Sequence, residues 1–138
     1  MRPITVVVSV PVTDLTRTLR FYRDGLGLET SGIDEGIIPI ELPNLSLFLI
    51  ERQEYARYAE RGGVADGGYP VPGTCIFSCA IADKEEVDRT IERARQAGGS
   101  VPGPAEEQDG SYTGYVADPD GHLWELVWNE QTEAAAAE

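Results

Sequence analysis

One carboxylate stands out in the sequence. Glu125 sits in the apolar run Leu123-Trp124-Glu125-Leu126. Loss of water there would raise its pKa, fitting it for proton transfer or for pairing with a cationic group. The same carboxylate is equally open to a quieter role, satisfied by a neighbouring hydroxyl or water. His122, the only histidine, lies three residues away, and an odd spacing on a strand puts two residues on opposite faces. It follows Asp118-Pro119-Asp120-Gly121, which reads as a turn: Asp and Pro start it and Gly supplies the positive φ. Cys75 and Cys79 lie four apart in one strand-like run, badly placed for a bridge. Cys79 reads as small apolar filler, since no basic neighbour is in sequence reach to activate a thiolate. Phe48, Tyr112, Tyr115, Trp124 and Trp128 fall on strand-like segments, where they pack cores or offer a surface for stacking.

The elements that must position these residues repeat. Ile4–Val10 reads as a buried strand ended by Pro11. Asp14 caps a helix whose apolar stripe is Leu15, Leu19 and Tyr22, and Gly25 and Gly27 stop it. Three short strands follow, Leu28–Ile33, Ile37–Leu42 and Leu45–Ile50, parted by Asp34-Glu35-Gly36 and Pro43-Asn44. Glu51–Glu60 is polar enough for a surface helix. Arg61–Gly73, with five glycines and two prolines, is a connector. Thr74–Ile81 then reads as a strand and Lys84–Ala97 as a helix with Val87, Ile91 and Ala94 on one face. Ser100–Pro102, Tyr112–Ala117 and His122–Trp128 are three further strands, with an acidic loop at Gly103–Gly110. A shift of 72 places Leu15 on Val87, Leu19 on Ile91, Tyr22 on Ala94 and Gly27 on Gly99. Fixed-offset similarity of this kind indicates a duplicated unit. The expected organisation is residues 1–60 as a first βαβββ module, 61–73 as connector, 74–130 as a second module and 131–138 as a disordered tail.

Composition narrows the function classes. With 24 acidic against 11 basic residues the formal charge is −13, which argues against nucleic acid or an anionic membrane as partner. A field of that sign attracts cationic ligands, or simply keeps the surface solvated. No apolar run approaches the length of a bilayer span, and Met1-Arg2-Pro3 leads directly into a strand rather than a signal peptide. A cytoplasmic protein with reduced cysteines is expected.

Two motif groups carry a family resemblance. Val12-Thr13-Asp14-Leu15, with Arg20-Phe21-Tyr22-Arg23 and Gly25-Leu26-Gly27, resembles the opening module of the vicinal oxygen chelate superfamily. Val116-Ala117-Asp118-Pro119-Asp120-Gly121-His122 with Trp124-Glu125 is similar to the closing hairpin of its second module. That superfamily includes glyoxalase I, extradiol dioxygenases and bleomycin-resistance proteins. The resemblance implies an α+β fold of two βαβββ modules, whose curled mixed sheets pair to enclose a cavity, and a homodimer. It also implies four inward-pointing positions that ring a divalent metal in the metalloenzymes.

Carried onto this chain, those positions are Val7, Phe48, Cys79 and Glu125. Valine and phenylalanine ligate nothing, and one thiolate with one carboxylate is too few donors for a stable divalent site. A register error of one would bring Val6 or Val8, and Ser78 or Ala80, none of which restores a conventional site. The expectation is therefore no metal and no cofactor. Val7, Phe48, Cys79, Tyr115 and Glu125 would form a ligand-binding pocket for a flat aromatic or cationic natural product. The alternative is a metal-free lyase- or isomerase-like enzyme with Glu125 as general acid or base. A metalloenzyme is the third option, should the strand register be misread.

Overall fold

The structure, a computed structural model, describes residues 1–138 and divides into two compact units, Met1–Pro70 and Val71–Glu138. The boundary falls inside the glycine- and proline-rich connector. Each unit builds its own mixed sheet, so the fold is α+β with one sheet of three strands and one of four.

In the first unit β1 (Val7–Val12) leads to α1 (Leu15–Leu19), which Asp14 caps by accepting the Arg17 N–H at 3.0 Å. The helix widens into π-helical turns over Arg20–Gly25, burying Phe21 and Tyr22 edge to face, with ring centroids 4.9 Å apart. Two strands follow, β2 (Ile37–Leu42) and β3 (Leu45–Glu51), then α2 (Arg52–Arg61). β3 sits in the middle, parallel to β1 and antiparallel to β2. Alternation sends Val10, Val12, Ile38, Ile40, Leu47 and Leu49 into the core.

The strand expected at Leu28–Ile33 does not form. Its pairing with β2 fails at Pro39, which has no N–H to offer a ladder. The Thr30 hydroxyl instead donates to the Pro39 carbonyl at 2.6 Å. Only Asp34 bridges to Ile37, around Glu35 and Gly36, both at positive φ.

The second unit keeps the full β-α-β-β-β order. β4 (Ile76–Ala80) precedes α3 (Lys84–Gln96), capped by Asp83. β5 (Glu106–Gln108), β6 (Ser111–Ala117) and β7 (Leu123–Trp128) complete a sheet of order β4-β7-β6-β5. Val87 and Ile91 of α3 pack on Leu126, with Cys79, Val101, Ala105, Tyr112 and Trp128 around them. Phe77 and Trp124 stack on the same sheet face at 4.6 Å.

Two expectations are corrected here. Ser100–Pro102 is not a strand but a single bridge to Ala117, because Pro102 and Pro104 cannot extend the ladder. The chain rejoins the sheet only at β5, inside the segment read as loop. The tail is also structured: Glu130–Ala136 forms α4, with an Asn129–Thr132 capping box. The Thr132 hydroxyl fastens it to the Ile81 carbonyl at 2.7 Å.

The turn before β7 is read correctly as structural. Asp118 is buried, and its carboxylate accepts the N–H groups of Asp120 and His122, both at 2.9 Å. Gly121 has φ +91°, and a Cβ there would meet Pro72 at 2.6 Å, so only glycine fits.

Candidate functional site

β7 lies between β4 and β6, so its outward-facing Glu125 is flanked by one residue from each neighbour: Ser78 on β4 and Tyr115 on β6. The Ser78 hydroxyl donates to one carboxylate oxygen at 2.9 Å, and the Tyr115 phenol donates to the other. That hydrogen bond, with some burial, pushes the Tyr115 pKa above the ordinary tyrosine value, so the phenol stays protonated and keeps donating. Both donors are neutral. They orient the carboxylate without cancelling its charge.

Beyond this triad the surface sinks into a cleft of about 470 Å³. Pro102, Pro104 and Tyr115 give it apolar walls. Glu106 and Asp109 add two carboxylates to Glu125, Gln108 and Thr113 add neutral polar groups, and no Lys or Arg lines it. The whole cleft belongs to the second unit. Its size suits a small molecule, its carboxylates favour positive charge, and at Glu125 it offers a fixed hydrogen-bond acceptor.

Of the residues expected to share a pocket, Tyr115 and Glu125 come together. Cys79 turns the other way. It pairs with Leu126 and packs on the α3 face, where burial raises its thiol pKa; the strand alternation that exposes Ser78 and Glu125 on one face puts Cys79 on the other. Val7 and Phe48 belong to the first unit and share a sheet face there, Phe48 lying opposite Ser9 and Pro39. Val7 is 44% exposed. Phe48 lines a separate recess of about 430 Å³ with Asp34, Glu35, Ile37, Glu54 and Tyr58.

Ser78, the one-residue alternative to Cys79, is the residue that the register brings to Glu125. The signal lay in the helix caps: Asp14 and Asp83 both cap helices, and aligning them gives a shift of 69, which sets Ser9 on Ser78. The pairs Ser9–Phe48 and Ser78–Glu125 then correspond strand for strand. The shift of 72, which matches the apolar stripes and the closing glycines, crosses helices of unequal length.

These residues do not fit the divalent ion that the resemblance implies. The observed register supplies Ser9 and Phe48 in one unit and Ser78 and Glu125 in the other, one carboxylate among hydroxyls and a phenyl ring. A phenyl ring donates no lone pair, and neutral hydroxyls with a single carboxylate are too weak a set for a stable divalent site. No three His, Cys, Asp or Glu side chains gather into a set able to hold a metal.

Comparison with known proteins agrees with this architecture. The model of the Glyoxalase/Bleomycin resistance protein/Dioxygenase superfamily matches residues 4–126. Among solved structures, a glyoxalase-related enzyme from Fulvimarina pelagi is 31% identical, with a TM-score of 0.78 over 91% of this chain and 87% of that one. A glyoxalase/bleomycin resistance protein/dioxygenase from Nocardioides is 25% identical, with a TM-score of 0.70 over 94% and 85%. A lactoylglutathione lyase from Agrobacterium tumefaciens is 26% identical, with a TM-score of 0.66 over 94% and 97%. No curated protein matches the chain.

Proposed function

The chain belongs to the Glyoxalase/Bleomycin resistance protein/Dioxygenase superfamily, and from that premise we propose that it is a metal-independent binding protein for a flat aromatic or cationic small molecule. The observation that carries this reading is the state of Glu125. Its two oxygens are held by neutral hydroxyls, and it faces a cleft with two further carboxylates and no basic side chain. A half-exposed carboxylate with no cationic neighbour is open to pairing with a cation that enters the cleft. Tyr115 and the two prolines supply the faces against which a planar ring packs.

N-methylacridinium and neutral acridine, alike in shape and different in charge, test the proposal. The cation should bind more tightly to the wild type. Glu125→Gln should cost the cation about tenfold, on the order of one partly exposed charge pair, while leaving acridine nearly unchanged. Equal affinities for the two dyes would remove the role given to Glu125.

A second reading, turnover with Glu125 as general acid or base, is supported by the enzyme names that the Fulvimarina and Agrobacterium relatives bear. It predicts that Glu125→Gln abolishes turnover and spares affinity. A homodimer also belongs to this proposal. β1 and β4 are edge strands with apolar side chains in water: Val7 is 44% and Ile76 55% exposed, and Ile4 and Val6 precede β1 fully or half exposed. Such edges favour pairing with another chain. Two free cysteines suit a reducing, cytoplasmic setting, and no helix is long and apolar enough to cross a membrane.

A further inference from the structure

One wall of the Glu125 cleft is thin. Glu106 and Gln108 reach it from β5, a strand of three residues paired only with β6 and closed by Asp109-Gly110, both at positive φ. Glu107 alternates to the opposite face. There its carboxylate is ion-paired with Lys84, the first residue of α3 and the only lysine in the chain. The Lys84 ammonium also lies 4.8 Å from the Tyr112 ring centroid and 5.8 Å from that of Trp128. Tyr112 is the cross-strand partner of Glu107, and its phenol donates to Asp88 of α3 at 2.6 Å. The first turns of α3 therefore grip the back of the β5–β6 hairpin at two points, on the side away from the cleft.

We propose that Lys84 is a positioning residue for the cleft, fastening β5 so that Glu106 and Gln108 form its wall. The inference rests on the cleft being the ligand site. Lys84 touches no ligand; it acts through Glu107 and the rings of Tyr112 and Trp128. Three ladder pairs do not hold a strand in place on their own, and β5 has no neighbour on its outer edge. The ion pair is exposed, at 39% for Lys84 and 66% for Glu107, so salt weakens it. The grip is correspondingly modest and adjustable.

Lys84→Met separates this role from simple electrostatics. Removing a positive charge near an acidic cleft should tighten binding of a cation if only the field matters. Loss of the fastening should weaken it. With N-methylacridinium as probe, Lys84→Met should raise the dissociation rate about fivefold, the scale of one exposed ion pair with a cation–π contact. Hydrogen exchange at residues 106–110 should accelerate by a similar factor, with exchange in β7 unchanged. Lys84→Arg should restore both. Tighter binding by Lys84→Met, or exchange unchanged at residues 106–110, would overturn the proposal. Acceleration spread evenly through the second unit would do so too, since it would mark a general loss of stability. Should the wild type fail to bind either acridine, the reading of the cleft as a ligand site falls, and the exchange measurement still decides whether Lys84 holds β5.

Discussion

Tyr115 reports on the charge of Glu125. The hydrogen bond to the carboxylate raises the phenol's pKa in the folded state, so its contribution to stability is complete below the unfolded value of about 10 and is lost as pH climbs through the raised value. Glu125→Gln removes the negative charge. Phenolate absorbance should then show one tyrosine ionising at lower pH than in the wild type, and alkaline unfolding should become less steep. An unchanged titration would mean that the two side chains do not interact in solution. Tyr112, pushed up to about 12 chiefly by its bond to Asp88, should titrate late in both proteins. The site was half legible at this scale. Strand alternation separates Glu125 from Trp124 and Trp128, while its pairing with Tyr115 is set by the β6–β7 register. Cys79 stands in place of Ser78 in the sequence reading because a single shift of 72 assumes helices of equal length. The π-helical turns at Arg20–Gly25 and the longer α3 break that assumption.

The elements show which sequence signals fail and why. Strands with alternating apolar residues, β3, β6 and β7, were readable because burial on one face imposes the period. β1 was misplaced, running Val7–Val12 through Pro11 rather than Ile4–Val10, because an edge strand tolerates a proline. β5 was not, since Glu106-Glu107-Gln108 carries no apolar residue. Its only signal was Asp109-Gly110, the residue pair that favours a two-residue hairpin turn. Pro39 and Pro102 stopped strands that apolar content alone suggested. Packing between α3 and β6 is close enough to test. A Cβ on Gly114 would lie 2.3 Å from the Ile91 Cδ1 and 3.2 Å from the Ala105 Cβ. Gly114→Ala should therefore cost about 1–3 kcal/mol in urea unfolding through overpacking. A variant as stable as the wild type would show that Ile91 moves aside freely.

At the scale of the whole molecule, the two units share a strand–helix–strand plan and differ at the corresponding position, Glu125 in the second against Phe48 in the first. A charge of −13 on 138 residues surrounds the cleft with a field that favours cations and is weakened by salt. Light scattering at micromolar concentration should find a dimer if the exposed edges of β1 and β4 are covered in solution, and a monomer would leave those edges unexplained. The central claim is that this cleft binds a small molecule without a metal. Its most direct test is the thermal-unfolding midpoint of chelator-treated protein, measured with N-methylacridinium and separately with zinc, nickel, iron or manganese, because a ligand that binds only the native state raises it. The account predicts that the dye raises the midpoint and that stoichiometric metal leaves it where it was. A rise with one equivalent of metal, and none with dye unless metal is present, would contradict it.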